Sequence, residues 1–184
     1  MWSCGDGYTS TDRKPIHVFQ DTGTFTVALV TTDTSGCSSF KELAQKIKVH
    51  PKPIASFSAP STSGCQPFTA ALTNTSSSYT GLSWNFGDGS NSTAENPNHI
   101  YFNPGFYNIS LVATNQFGCT DTAYSPSPVE VMNTPIANFA PAFRNGCPPV
   151  DIPFFNASTN TINATYDWNF GNGTTSTDAN PSCN

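Results

Sequence analysis

The protein has 184 residues, of which only 10% are charged, and its net charge of -5 gives a pI of about 4.8. This balance argues against a basic footprint for nucleic acid and against a polybasic membrane patch. No apolar run approaches the roughly 18 residues needed to span a bilayer, and the N-terminus lacks the charged start and apolar core of a signal peptide. We therefore expect any export signal or anchor to lie outside this segment. Short apolar alternations separated by Thr, Ser, Asn, Gly and Pro predict an all-β fold.

A long internal repeat organises the chain. Residues 2–37 align without a gap with residues 84–119, and a third copy begins at Trp168. The repeated tryptophans are 82 and 84 residues apart, a period that indicates whole small domains rather than solenoid turns. The upstream segment that starts at Pro53 recurs from Pro135 with the same offset of 82 residues.

The repeat predicts one complete domain between two half-domains. We place the C-terminal half of a domain at residues 1–52, a complete domain at 53–133, and the N-terminal half of another at 134–184. Two explanations fit this arrangement. Either the chain is a fragment of a longer array, or the two half-domains complete each other between successive chains.

One stretch of the leading half-domain has a pattern that suits a helix. Residues 40–48 combine helix-forming side chains with an apolar spacing of three and four. The repeat favours a strand, because Ile47 and Val49 align with Val129 and Val131 of the predicted terminal strand and alternate with a period of two.

In the complete domain, apolar residues that alternate with a period of two predict successive strands. They are Ala55/Phe57, Phe68/Ala70/Leu72, Leu82/Trp84/Phe86, Ile100 with Phe102 or Tyr101, and Tyr107/Ile109/Leu111/Ala113. Turns are predicted at Gly87-Asp88-Gly89, Asn103-Pro104-Gly105 and Phe117-Gly118. Asp88 is thus a turn residue, whose carboxylate bonds nearby backbone N–H groups. Roughly seven short strands around a buried Trp84 fit a β-sandwich.

The order of motifs in this domain is recognisable. W-x-F-G-D-G, a Ser-Thr and Asn-Pro segment, and H-x-Y-x-x-x-G-x-Y-x-I-x-L follow one another. Together they resemble the PKD (polycystic kidney disease) domain over the whole chain. The motif positions are Trp2, Asp6, Trp84, Asp88 and Trp168.

Three positions depart from the family pattern. Cys4 stands where the other copies have Phe86 and Phe170, and Asn172 stands where they have aspartate. Cys183 occupies the position of His17 and His99. The resemblance implies tandem immunoglobulin-like β-sandwiches in extracellular or cell-surface proteins, where such domains act as spacer or adhesion modules. It does not imply catalysis.

The six cysteines predict disulfides in an exported β-protein, although six cysteines allow fifteen pairings. Cys65 and Cys147 follow the first strand of their repeats, whereas Cys37 and Cys119 lie between the last two strands. These loops belong to opposite poles of a sandwich, about 25 to 30 Å apart at the usual rise of a strand, whereas a disulfide requires Cα atoms within roughly 7 Å. We therefore predict staples between the first-loop cysteine of one domain and the late-loop cysteine of its successor.

The two cysteines outside the repeat pattern suit assembly between chains. Cys4 lies in the leading half-domain and Cys183 in the trailing one, so both enter the same composite sandwich if the halves of successive chains join. Edge strands and a split core would then be completed by a neighbour. The duplicated strand opposes this, because Trp2 and Trp168 would compete for one position. In such a filament the chains would be bridged by Cys37 with Cys65 or by Cys119 with Cys147.

No cofactor, metal or catalytic site is expected. His17 and His99 recur beside Phe19 and Tyr101, which favours packing histidines. No His or Cys-His cluster has zinc spacing, and no serine lies in a nucleophile elbow. Four carboxylates do not form the dense ladder of a strong calcium loop, and they are Asp6, Asp12, Asp88 and Glu95.

Six asparagines begin N-x-S/T sequons and are candidate glycan acceptors: Asn74, Asn91, Asn108, Asn156, Asn163 and Asn172. Such sequons also arise by chance in a chain rich in Asn, Ser and Thr. The sequence thus predicts an extracellular structural or adhesive spacer, or a subunit that assembles head to tail, whose partners are copies of itself or adjacent PKD-like domains. The alternative is a carbohydrate-binding accessory module of a larger secreted enzyme or adhesin, with polysaccharide as its partner.

Overall fold

Short strands joined by turns make up the whole of the described chain. The structure is a computed structural model, and it describes residues 1–183. Over these residues it contains strands and no helix. The fold is all-β with tandem immunoglobulin-like β-sandwich repeats, as the sequence predicts.

The strands follow the three parts of the repeat. Residues 1–52 contain β1 (Trp2–Ser3), β2 (Thr9–Ser10), β3 (Gly23–Phe25), β4 (Ala28–Thr32), β5 (Ser38–Glu42) and β6 (Ile47–Val49). Residues 53–133 contain β7 (Phe57–Ser58), β8 (Ser63–Cys65), β9 (Phe68–Ala71), β10 (Thr73–Asn74), β11 (Gly81–Asn85), β12 (Asn91–Ser92), β13 (Asn98–Tyr101), β14 (Gly105–Tyr107), β15 (Ser110–Thr114), β16 (Thr120–Tyr124) and β17 (Val129–Met132). Residues 134–183 contain β18 (Phe139–Pro141), β19 (Ile152–Asn156), β20 (Trp168–Asn169), β21 (Thr175–Ser176) and β22 (Ser182–Cys183).

The chain forms two compact units that do not follow the boundaries of the repeat. The first unit comprises residues 1–58, 72–97 and 109–126, and the second comprises residues 59–71, 98–108 and the described chain from Ser127 onward. The predicted domain 53–133 therefore contributes to both units. Its boundaries, like those of the two half-domains, stay a prediction.

The first unit contains the same sheet twice. The leading half-domain forms a four-stranded antiparallel sheet in the order β2-β1-β4-β5, and the complete domain forms its counterpart in the order β12-β11-β15-β16. In the second copy Trp84 is paired with Leu111, and in the first Trp2 is paired with Leu29. Two shorter antiparallel pairs, β3 with β6 and β7 with β10, complete this unit.

The second unit contains the remaining sheets. In the complete domain β17 lies between β14, which is antiparallel to it, and β8, which is parallel to it, while β13 pairs with β9. In the trailing half-domain β19 lies between β18 and β22, and β20 pairs with β21.

Burial follows the alternation that the sequence predicts. The buried apolar residues of the described chain are Phe68, Ala70, Leu72, Leu82, Trp84, Phe86, Tyr101, Ile109, Leu111, Ala113, Val129 and Val131, together with Cys4. All except Cys4 belong to residues 53–133; of the buried prolines, Pro53 and Pro97 lie there as well, and Pro181 lies in the trailing half-domain. Strand alternation places successive side chains on opposite faces, so each strand contributes every second residue to the core. The two half-domains therefore lack a closed core of their own.

Two uncertain elements are settled by the structure. Residues 40–48 are extended, since β5 and β6 occupy them on either side of a short turn, and the strand prediction is confirmed. Of the alternatives near the fourth predicted strand, Tyr101 is buried, whereas Ile100 and Phe102 are exposed. The expectation that Cys37 and Cys119 lie between the last two strands of their repeats is wrong. Each lies in a hairpin that is followed by one further strand, β6 after Cys37 and β17 after Cys119.

Candidate functional site

The repeated tryptophan anchors the same loop in all three copies. Its indole Nε1–H donates to a backbone carbonyl ten residues further along, and the pairs are Trp2 with Asp12 at 3.0 Å, Trp84 with Ala94 at 2.8 Å, and Trp168 with Asp178 at 2.8 Å. Trp84 is fully buried, while Trp2 and Trp168 are half-buried. The tryptophan is a core residue, and this role leaves its ring no surface for a ligand at Trp84.

The repeated aspartate shapes the turn after that strand. Asp6 Oδ1 accepts a hydrogen bond from the Tyr8 amide at 3.0 Å, and Asp88 Oδ1 accepts one from the Ser90 amide at 3.0 Å. Asn172 takes the same role toward the Thr174 amide. Each side chain closes an Asx turn, so an amide oxygen serves as well as a carboxylate oxygen.

The residue at this turn position makes a second contact, and the partner in that contact differs between the first and the third copy. In the first copy Asp6 Oδ2 lies 2.5 Å from His17 Nε2, and this hydrogen bond holds the pKa of the Asp6 carboxyl below its usual value. The imidazole also stacks on Tyr8 with ring centroids 4.2 Å apart. In the third copy Asn172 Nδ2 donates to Cys183 Sγ at 3.5 Å. Two departures from the family pattern thus fall on residues that contact each other: Asn172 replaces the aspartate and Cys183 replaces the histidine of the Asp6–His17 pair.

The linker before the complete domain is fixed to that domain. The His50 ring stacks on Phe117 with centroids 3.5 Å apart and planes 5° from parallel. Asn115 Nδ2 donates to the Pro51 carbonyl at 2.8 Å, and the Ala55 amide donates to Asp121 Oδ2 at 2.9 Å. All of these contacts lie within the first unit.

The linker after the complete domain is fixed as well. Thr134 Oγ1 donates to the Gln66 carbonyl at 2.6 Å, and the Gln66 amide donates to the Met132 carbonyl at 2.9 Å. On the far side, Asn160 Nδ2 donates to the Thr134 carbonyl at 3.3 Å. All of these residues lie within the second unit. No motif in the sequence pointed to the four residues that fix the linkers, which are Gln66, Asn115, Thr134 and Asn160. The repeat offered a weak signal for Asn115 alone, which stands where the first copy has Asp33.

No disulfide joins the six cysteines in the described residues. Cys37 and Cys119 close equivalent turns, in which their amides donate to Asp33 Oδ1 at 2.9 Å and to Asn115 Oδ1 at 3.0 Å. Cys65 ends β8 and is exposed, and Cys147 is exposed outside any strand. The staples stay a prediction.

Cys4 differs from the other cysteines in its surroundings. Burial raises the pKa of its thiol, and the charge of Asp6 acts in the same direction. Cys4 and His17 line one cavity of about 510 Å³. Its other lining residues are Trp2, Arg13, Lys14, Pro15, Phe19, Val27 and Ile47. Because of this cavity, Trp2 is only half-buried, whereas the equivalent Trp84 of residues 53–133 is fully buried.

The sequons differ in how accessible their amides are. Asn74 Nδ2 donates to Tyr79 Oη and to Glu95 Oε1 at 2.9 Å each, and Asn172 Nδ2 is used by Cys183. Asn163 lies in an exposed turn with φ of 56°. Asn91 and Asn108 are exposed, and Asn156 is half-buried. Glycosylation stays a prediction, and the geometry favours Asn163 over Asn74.

The Asn74–Tyr79–Glu95 cluster makes a pH-dependent contribution that can be tested. Hydrogen bonds from Tyr79 and then Asn74 hold the pKa of Glu95 below its usual value. Stabilisation by a depressed carboxyl is present above the unfolded-state pKa of about 4.3 and is lost as the pH falls through the folded-state pKa. We expect Tyr79→Phe to flatten the fall in unfolding free energy below about pH 5.

Urea denaturation at a series of pH values measures this slope. Tyr124→Phe is the matched control, because Tyr124 is exposed on β16. An equal pH slope for wild type and Tyr79→Phe would contradict the assignment.

The geometry of repeated tryptophan, turn aspartate and paired sheets agrees with a comparison of sequences. The model of the PKD domain matches residues 1–49 and 48–129. The chain belongs to the PKD-domain family. Its sequence is 37% identical over 57 residues to collagenase ColA of Bacillus cereus, and 40% identical over 48 residues to collagenase ColQ1 of Bacillus cereus strain Q1. These matches cover 31% and 26% of the PKD chain but only 6% and 5% of the collagenases.

A solved PKD structure is also similar to this chain. The PKD1 domain from the Vibrio cholerae metalloprotease PrtV is 27% identical, with a TM-score of 0.39, and the match covers 46% of this chain and all of that domain. Within residues 1–183, no group of three or more His, Cys, Asp or Glu side chains is placed to hold a metal ion. The same residues contain no helix that is long and apolar enough to cross a membrane.

Proposed function

We propose that this PKD chain is a non-catalytic extracellular spacer whose domains are held in line by fixed linkers. The observation that carries the proposal is the pair of anchored junctions, in which Asn115 binds the Pro51 carbonyl and Thr134 binds the Gln66 carbonyl. A flexible linker would leave these backbone groups to water. Bonds of this kind contribute about 1 kcal/mol each, enough to favour one arrangement of a short linker.

Asn115→Asp tests the first junction with the smallest possible change. The aspartate keeps the Oδ1 acceptor for the Phe117 and Cys119 amides but loses the Nδ2 donor to Pro51. We expect the backbone of residues 50–54 to become more mobile in ¹⁵N relaxation, at a cost of about 1 kcal/mol. Adding Phe117→Ala removes the His50 stacking as well and should increase the motion further.

The chain contains a matched control for this experiment. Asp33 closes the same turn one repeat earlier, where its Oδ1 accepts from the Ser35 and Cys37 amides. Asp33→Asn should leave the relaxation of residues 50–54 unchanged. Unaltered relaxation in Asn115→Asp with Phe117→Ala would contradict the fixed linker and with it the spacer.

Head-to-tail assembly of successive chains, locked by disulfides, is the sharper form of this function. Thr134 touches Gln66, which is adjacent to Cys65, while Pro51 is held by Asn115, four residues before Cys119. In an array, each linker thus meets the first-loop cysteine of the domain before it and the late-loop cysteine of the domain after it. This supports staples of Cys65 to Cys37 and of Cys147 to Cys119 between chains.

Electron microscopy and a non-reducing gel, each before and after reduction, test the assembly. Every staple converts two thiols into one disulfide, and the two electrons and two protons pass to a disulfide oxidant such as oxidised glutathione. We expect beaded fibres and a high-mass ladder that collapses on reduction. Monodisperse particles under both conditions would contradict the assembly, and a Cys65–Cys119 bond within one molecule would contradict the staples.

A further inference from the structure

The geometry points to a defined interface for this assembly: β6 of one copy binds residues 145–147 of a second copy as a parallel strand, with His50 opposite Cys147. The inference rests on the proposed head-to-tail association and specifies which strand edges meet. Its partner is a second copy of this chain. Three segments define it: β17 of the complete domain, its counterpart β6 in the leading half-domain, and residues 145–147 of the trailing half-domain, which lie outside any strand.

The complete domain shows how this strand is paired when both neighbours are present. β17 has β14 on one side and β8 on the other. The parallel register places Glu130 opposite Ser63, Val131 opposite Gly64, and Met132 opposite Cys65. At the two ends of this ladder, the Glu130 amide donates to the Thr62 carbonyl at 2.8 Å and the Gln66 amide donates to the Met132 carbonyl at 2.9 Å.

The leading half-domain reproduces one side of this arrangement. β6 pairs with β3 in the register Gly23 with Val49, Thr24 with Lys48, and Phe25 with Ile47. This is the register of β14 with β17 shifted by 82 residues. Among the described residues, no strand pairs with the opposite edge of β6. That edge is the place that β8 fills in the complete domain.

The trailing half-domain contains the missing strand in an unpaired state. Residues 145–147 align with β8 at the same offset of 82 residues, yet they are exposed and outside any strand. Their local shape already matches. A Cβ on Gly146 would lie 2.6 Å from Val150 Cγ2, as a Cβ on Gly64 would lie 2.5 Å from Phe68 Cδ2, and Val150 and Phe68 are themselves equivalent. A Cβ at either position would thus collide with the side chain four residues further along.

Transferring the register of the complete domain predicts the pairs between copies. Lys48 lies opposite Asn145, Val49 opposite Gly146, and His50 opposite Cys147. The Lys48 amide, equivalent to that of Glu130, then donates to the Arg144 carbonyl. The bond that the Gln66 amide donates in the complete domain has no counterpart, because Pro148 stands in place of Gln66 and has no N–H.

Charge favours contact between the two ends of the chain. Residues 1–52 hold six of the seven basic residues of the protein against five acidic ones, while residues 134–184 hold three aspartates and only Arg144. The leading half-domain is therefore weakly positive and the trailing one negative. Opposite charges favour heterologous, head-to-tail encounter over pairing of like ends.

Exposed aromatic surface supplies the apolar part of the interface. Phe139, at the edge of the trailing half-domain, is 56% exposed, and it packs edge-on against the half-buried Trp168 with centroids 5.1 Å apart. The equivalent Trp84 is fully buried. Enclosing the Phe139 ring in the cavity lined by Trp2 and Cys4 would bury apolar area at about 25 cal/mol per Å².

Trp2 and Trp168 both align with Trp84, so only one of them can occupy the core position of a composite domain, and the strand pairing favours Trp2. β1 is paired on both sides, with β2 and with β4, whereas within residues 1–183 β20 is paired only with β21. Displacing the β20–β21 hairpin therefore breaks fewer backbone hydrogen bonds than displacing β1. The composite domain keeps Trp2 in the core and moves Trp168 aside.

Two single-cysteine proteins test the register by disulfide trapping. Both carry Cys4→Ala and serine at the other native cysteines; one retains Cys147, and the other adds His50→Cys. Cysteines held in register on adjacent strands fall within disulfide range, at an effective concentration near millimolar, so with oxidised glutathione we expect at least about tenfold more heterodimer than from Thr24→Cys. Thr24 is exposed on β3, on the far side of β6, and is the matched control.

Hydrogen exchange on the reduced wild-type protein tests the same contact without substitutions. The Lys48 amide should exchange at least about tenfold more slowly as the protein associates, because it gains a partner in the sheet. The amides of Ile47 and Val49 already face β3 and should change little.

Sedimentation velocity of the same samples separates the two proposals. Absence of association at any concentration overturns both the assembly and this interface. Association in which His50→Cys and Thr24→Cys trap equally, or in which the Lys48 amide stays unprotected, overturns the interface and leaves the assembly standing.

Discussion

Replacing Trp84 with alanine should lower the free energy of unfolding by about 3–5 kcal/mol, the range found when a large aromatic residue is removed from a core. Trp84 is fully buried, pairs with both β12 and β15 from its place in β11, and packs edge-on against Phe57 with centroids 5.2 Å apart. The substitution also leaves the Ala94 carbonyl without its indole donor. Guanidinium denaturation followed by circular dichroism measures the loss.

Trp168→Ala is the matched control for this substitution. Trp168 makes the same hydrogen bond, to Asp178, but it is half-buried and its strand has one neighbour. We expect a loss less than half that of Trp84→Ala. Equal losses would mean that the trailing half-domain has a closed core, which would contradict both the burial pattern and the proposed assembly.

Gly5→Ala should be the most damaging small change in the leading half-domain. Gly5 has φ of +82°, and a Cβ there would lie 2.7 Å from the Thr26 carbonyl oxygen and 2.8 Å from its amide nitrogen. The left-handed conformation costs a non-glycine residue about 1 kcal/mol, and overpacking against rigid backbone adds about 1–3 kcal/mol. We expect a total loss of about 2–4 kcal/mol, which residue-resolved hydrogen exchange of β1 and β4 can measure.

The third copy provides a control that separates the two costs. Gly171 has φ of +81°, but a Cβ on it would meet no atom within 4 Å. Gly171→Ala should therefore lose only the conformational part, about 1 kcal/mol. Similar losses at the two glycines would show that the contact with Thr26 adds nothing and that only the backbone conformation requires glycine at this turn.

The fixed linkers connect stability to the proposed function. A spacer transmits position only if its domains cannot swing, and short Pro-containing linkers limit that motion without abolishing it. Asn115 donates to the carbonyl of Pro51 in the first linker, and Thr134 of the second linker donates to the Gln66 carbonyl. His50 stacks on Phe117. These contacts involve residues that lie far apart in sequence, so no pattern within the linker itself predicts them.

The repeat, the all-β fold, most of the buried alternation and the membership of the PKD family could be read from the sequence. The individual strands could not all be read, because β8 was expected as a loop and the strand expected over residues 107–113 is divided between β14 and β15. The properties that could be read depend on local periodicity and on comparison of one copy with another, and both are present in a linear chain. Trp84, Leu111 and Val131 are buried as predicted because a strand alternates its side chains whatever surrounds it. The strand at residues 47–49 was decided in the same way, by alignment with a second copy.

Other features required the tertiary structure. Tyr101 is buried in preference to Ile100 and Phe102, although all three are apolar, because pairing with β9 sets which face of β13 points inward. The exchange of Asp6 and His17 for Asn172 and Cys183 becomes a contact only when the turn brings positions eleven residues apart together. Composition and periodicity determine which elements form, but register and long-range hydrogen bonds determine which side chains meet, since these depend on the positions of residues distant in the chain.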